Sequence, residues 1–179
     1  VGVPACIHPA YLTDTVRERL YSGNFSEFAS VALGGFGWVW HSDVGLHVPR
    51  VFASGVFDRF PRLKVVISHM GEMIPFMLER IVGHAGRWGS YQRFFKTVWD
   101  TDIWITTSEV WSVDPLACIL RNTKIDHIMY SVDYTFSSNQ KGLKFLEDLQ
   151  RSGLVDEKQF KQIVSGNAVE LLGLLTRLD

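Results

Sequence analysis

The stretch "VVISHMGEMIPFMLERI", residues 65–81, changes its periodicity halfway along. Val65-Val66-Ile67 is a continuous β-branched run, the pattern of a strand covered on both faces of a parallel sheet. From Ile74 to Ile81 the apolar residues recur at helical spacing instead. A strand that feeds a helix is a βα unit. At this junction stand two titratable groups three residues apart, His69 and Glu72. In parallel α/β folds, ligands bind at the C-terminal ends of strands, so the junction is both a fold signal and a candidate site.

Working outward, "VPACI" (3–7), "IWITT" (103–107) and "HIMYS" (127–131) read as further buried strands beside "KVVI" (64–67). Helical patterns fill the intervals: 11–22, 26–33, 38–56 with an interruption near Gly34-Gly35, 74–86, 138–151 and 156–164. Asp114-Pro115 predicts a helix start with Asp as N-cap and Pro at the first turn, running to about Asn122. Asn167 is expected to cap a last helix, "AVELLGLLTRL". Alternating strands and helices give an α/β class with parallel crossovers. Four βα units make either a small open sheet or half of an eight-stranded barrel, since a whole barrel takes roughly 250 residues. No linker or internal repeat interrupts the pattern, so residues 1–179 are expected to form one domain.

The totals narrow the function classes. Lys plus Arg number 18 and Asp plus Glu 19, a net charge of −1, so no basic stripe argues for nucleic acid. No apolar run is long enough to span a bilayer, and no signal peptide is visible. A cytoplasmic location is expected. Cys6 and Cys118 each lie in an apolar stretch and read as buried thiols rather than a disulfide. Val1 already belongs to a strand-like run with no initiator Met, so further residues are expected upstream.

The strand ends carry the chemistry: Ile7-His8-Pro9, Ser68-His69-Met70-Gly71-Glu72, Thr106-Thr107-Ser108-Glu109 and Ser131-Val132-Asp133-Tyr134. In a parallel sheet, His8, His69 and Asp133 share one rim. Imidazole and carboxylate together suit a divalent ion, zinc first and manganese or magnesium also, with a third group left to move a proton. Each residue also has a plainer reading. A lone strand-end His is more often a satisfied core or surface residue. Asp133 fits an N-cap, and Glu72 favours the following helix through its dipole. Tyr134 and Phe136, next to Asp133, are placed to wall an aromatic pocket. His47 lines the rim only if segment 38–56 folds over it. His84 reads as helix-end chemistry, His127 starts a strand far from any site, and the remaining aromatic residues, Phe36, Trp38, Trp40, Trp104 and Trp111, read as core.

"SGVFDRFPRLKVVISHMGEMIPFMLERI", together with "GVPACIHP", "DIWITTS", "IMYSVDYTF" and "GNAVELLGL", resembles the amidohydrolase-related family of metal-dependent decarboxylases. Its members include aminocarboxymuconate semialdehyde, γ-resorcylate and 2,3-dihydroxybenzoate decarboxylases. The resemblance runs from residue 1 to about 174 and implies the C-terminal half of a distorted (β/α)₈ barrel. It also implies His8 and Asp133 as metal ligands, His69 as the proton-transfer group near the metal, and Glu72 as its support. The implied substrate is a small aromatic or muconate-type carboxylic acid.

The departures are specific. The family's H-x-H or E-x-H motif of the first strand is absent from this sequence. The usual "DYPFE" reads Asp133-Tyr134-Thr135-Phe136-Ser137, and the usual "TTSG" ends in Glu109. A glutamate there changes charge and size beside a carboxylate-binding pocket. Two other readings stay open. One is a truncated, inactive family member that pairs as a homo-oligomer or with a missing N-terminal half. The other is a metal-dependent lactone hydrolase with Asp133 as base.

Overall fold

The computed structural model describes residues 3–174. Four strands form one sheet in the order β1-β2-β3-β4: Ala5–Ile7 (β1), Val65–Ile67 (β2), Ile103–Thr106 (β3) and Ile128–Met129 (β4). Every neighbouring pair is parallel, with Ile7 opposite Ile67, Ile67 opposite Ile105 and Ile105 opposite Ile128. All four expected strands are present, and sequential order puts their C-terminal ends along one rim.

Between β1 and β2 run α1 (Asp14–Tyr21), α2 (Glu27–Leu33), α3 (Val39–Ala53) and the single turn α4 (Val56–Arg59). Helices α5 (Ile74–Ala85) and α6 (Phe95–Asp102) connect β2 to β3, and α7 (Val113–Ile119) connects β3 to β4. After β4 come α8 (Asn139–Ser152), α9 (Glu157–Lys161) with a π turn at Gln162–Gly166, and α10 (Asn167–Leu172). The predicted last helix extends past α10 to residues that lie partly outside those described. Among the described residues no helix is long and apolar enough to cross a membrane.

Side chains alternate across a strand, and the two faces of the sheet differ. Val65, Ile67, Ile103, Ile105 and Ile128 face the main core with Val44, Val48, Phe52, Leu78, Trp99, Leu116 and Phe145. The opposite face carries a smaller cluster of Val66, Met129 and Leu171, flanked by Trp104 and Ala168. The even two-sided burial expected of all four strands fails at β1, whose Ala5 and Cys6 are exposed, whereas the other edge strand of the described residues, β4, is buried where the π turn and α10 pack against it. Cys6 is therefore no buried thiol, and Cys118 is only partly buried in α7. Phe36 and Trp38, expected in the core, are about half-exposed on the loop before α3.

Local chemistry accounts for several helix ends. Pro75 sits in the first turn of α5, where a missing N–H costs nothing. Asp156 and Gln159 form a reciprocal capping box on α9. The N-cap of α7 is Ser112, whose hydroxyl accepts from the Asp114 amide, so Asp114 falls inside the helix rather than before it. Asn167 is not a cap either. Its amide donates to the Ile125 and Ile128 carbonyls at 2.7 and 2.8 Å and ties α10 to β4.

Candidate functional site

The β2 exit is a backbone arrangement that ordinary residues avoid. His69, Met70 and Glu72 have φ of 48°, 58° and 58°, and Gly71 between them has 76°. Left-handed backbone in non-glycine residues costs on the order of 1–3 kcal/mol each and concentrates at functional sites. Among the described residues the other two such positions are Glu109 (φ 56°) and Asp133 (φ 65°), at the ends of β3 and β4. Packing holds the β2 turn in place. Met70 is buried, and a Cβ on Gly71 would come 3.0 Å from Ile105 Cγ2 and 3.1 Å from Pro75 Cγ. Glycine at 71 is thus required twice, by its φ and by the close approach of β3.

The reversal carries the Glu72 side chain back beneath His69. Glu72 Oε1 accepts from His69 Nδ1 at 2.8 Å, and the carboxylate is 1% exposed. Its second oxygen, Oε2, lies 2.6 Å from His41 Nδ1, and His41 Nε2 lies 3.1 Å from the Phe36 carbonyl oxygen. The two imidazoles meet edge to face with ring centroids 4.9 Å apart. The hydrogen bond and charge of Glu72 raise the His41 pKa against the opposing effect of burial, with smaller help from the Phe36 carbonyl and Glu109. His69 Nε2 points the other way and lies 3.6 Å from Asp133 Oδ2.

Hydroxyls brace the β3 and β4 ends. Thr107 Oγ1 donates to the Ser131 carbonyl at 2.8 Å and accepts from the Ser131 amide at 3.0 Å. Ser108 Oγ bridges Thr106 and Ser131 hydroxyls at 2.7 and 2.6 Å. These bonds fix where Glu109 and Asp133 leave the sheet. His69, Glu109 and Asp133 have ligand atoms within 4.8 Å of one another, as do His41, His69 and Glu72. The second group is already joined by internal hydrogen bonds. The first offers two carboxylates, one partly and one well exposed.

The structure therefore brings His69, Glu72 and Asp133 together. His8 belongs to neither group. It is exposed at the end of the edge strand, with Nδ1 donating to the Pro9 carbonyl at 2.7 Å. That bond leaves the Nε2 lone pair free, the arrangement a metal-ligating imidazole uses. Tyr134 and Phe136 are 76% and 79% exposed beside Asp133. His47 is exposed on α3, off the buried stripe Val44, Val48, Phe52. His41 had no role in the sequence reading. Its inward-facing place was legible, because positions 41, 44, 48 and 52 share one helical face, but its partner Glu72 was not.

The amidohydrolase family model matches residues 1–174. Decarboxylase orsB of Emericella nidulans is 50% identical over 175 residues, covering 96% of this chain and 53% of that protein. A putative amidohydrolase from Staphylococcus aureus superposes with TM-score 0.86 at 31% identity, covering 96% of this chain and 55% of the other. The dihydroxybenzoic acid decarboxylase of Polaromonas sp. JS666, solved with manganese and the inhibitor 2-nitroresorcinol, superposes with TM-score 0.82 at 26% identity over 97% of this chain and 51% of the other. The chain spans about half the length of the curated relatives it matches. The four parallel βα units are accordingly those of half an amidohydrolase barrel, and the chain belongs to the amidohydrolase family.

Proposed function

We propose that this chain supplies the proton-transfer side of a metal-dependent, non-oxidative decarboxylase of small aromatic carboxylic acids. The observation that carries the reading is the bond from His69 Nδ1 to the buried Glu72 carboxylate, which aims Nε2 at the open rim beside Asp133. The half-length relationship to proteins named decarboxylase supports it. Glu72 fixes the tautomer and ring orientation of His69, as a buried carboxylate does for a working imidazole. When the imidazole also carries a proton on Nε2, His69 as the imidazolium delivers that proton to the ring carbon that bears the carboxylate and is left as the neutral Nδ1–H tautomer held by Glu72. The C–C bond breaks, CO₂ leaves, and the bonding pair returns to the ring.

Asp133 and Glu109, whose carboxylates lie together beside His69, are the residues that would hold a divalent ion, with His8 of the β1 exit as the further imidazole that the family resemblance implies. Imidazole and carboxylate donors suit manganese as well as zinc, and the Polaromonas relative holds manganese. Such an ion would supply Lewis acidity and a template for the substrate's oxygens. Tyr134 and Phe136 present exposed rings next to Asp133, suited to stacking on an aromatic acid.

The test is CO₂ release from 2,6-dihydroxybenzoate and 5-carboxyvanillate by the manganese-loaded protein. Turnover that falls by about 10²-fold or more in His69→Ala supports proton delivery by that residue. Turnover unchanged in both His69→Ala and Asp133→Ala overturns the assignment.

A further inference from the structure

The proton-transfer reading uses His69, Glu72 and Asp133 and leaves His41 unexplained. His41 is two-thirds buried on α3, and both of its ring nitrogens face acceptors: the Glu72 carboxylate at 2.6 Å and the Phe36 carbonyl at 3.1 Å. A neutral imidazole has one N–H and one lone pair, so it would leave a lone pair against an oxygen at one end. Only the doubly protonated ring donates at both. On the Glu72 side, each carboxylate oxygen is committed to a different imidazole, and the group is 1% exposed. A buried carboxylate facing a single neutral imidazole would be an uncompensated charge.

We infer that His41 is a positioning residue, a standing imidazolium that neutralises Glu72 and holds it in the rotamer from which Oε1 orients His69. The inference rests on the decarboxylase reading for its kinetic consequence, though not for its structural one. Glu72 tied to one imidazole alone would hold the His69 proton more firmly and be free to swing. Shared between two, it steers His69 without retaining that proton. The ionisable groups facing His41 are Glu72 and His69 from the β2 turn and Glu109 from the β3 exit, two carboxylates against one imidazole. The two acceptor oxygens at its ring nitrogens, Glu72 Oε2 and the Phe36 carbonyl, call for a cation at His41. A third of the His41 side chain stays exposed, so the ring is held by its bonds and its edge contact with His69 more than by enclosure.

Two measurements test this on the intact protein. Nitrogen-15 NMR of the histidine side chains at neutral pH is expected to show both His41 nitrogens protonated. Glu72→Gln is expected to return that ring to one bare nitrogen. A bare nitrogen on His41 in the wild-type protein overturns the inference, whatever the catalytic result. In kinetics, His41→Gln is expected to lower kcat by about tenfold or more, with KM moved by less than about twofold. Equal kcat in wild type and His41→Gln also overturns it. Wild-type protein without any turnover, but with a doubly protonated His41, would sink the decarboxylase reading and leave the ion pair standing.

Discussion

The exits of β1 and β2 both end on a histidine, and they are built in opposite ways. His69 is 9% exposed at its side chain, sits on a left-handed backbone, and is bonded to a buried carboxylate. His8 is exposed on ordinary backbone, with one bond to the carbonyl of the next residue. The β2 exit is enclosed by its own chain: β3 behind Gly71, α3 over Glu72 and the β4 exit in front of His69. The β1 exit has a neighbouring strand on one side only. Burial allows a carboxylate to fix an imidazole, because hydrogen bonds and charge act more strongly away from water. The same residue type is thus pre-positioned at one exit and left adjustable at the other.

Gly71→Ala should break that contrast most severely. It places a Cβ against Ile105 and Pro75 on a left-handed backbone, and is expected to cost roughly 2–4 kcal/mol in a denaturant melt. A loss under about 0.5 kcal/mol would mean the β2 exit is not rigid. The pH dependence of stability should show a smaller effect. His41 has a raised pKa in the folded state, so its contribution is fully present below its ordinary value of about 6.5 and is lost as pH rises through the folded value. A component of Tm should therefore fall as pH rises above that ordinary value, and Glu72→Gln should abolish it. A component rising over the same range would contradict the sign. The smallest effect is expected at the other exit, where His8→Ala should leave stability within about 0.5 kcal/mol, because an exposed side chain with one local bond is removed. A larger loss would make the β1 exit as structured as its neighbour.

The sequence reading and the structure part company where burial depends on distant partners. Helix α6 has no clear signal in "FKTVWDTD", which is rich in Thr and Asp, residues of modest helix propensity. It forms because Phe95, Val98, Trp99 and Asp102 fall on one face and are buried there, with Asp102 ion-paired to Arg93 at 2.8 Å. His41 went unread for a related reason. Its partner Glu72 is 31 residues away, and spacing along the chain cannot reveal that α3 lies across the β2 turn. His69 and Glu72 were legible because a three-residue separation at a strand end needs only local geometry.

The sequence by itself determined the four parallel strands, the α/β class, the strand-end location of the polar groups and the family motif around residues 65–81. Those features rest on local periodicity and turn chemistry, which neighbouring residues settle among themselves. Only the tertiary structure decided that Glu72 serves two imidazoles, that Glu109 stands with His69 and Asp133, and that His8 remains exposed. Those outcomes depend on which elements pack together, and packing sets the burial from which charges and hydrogen bonds take their strength.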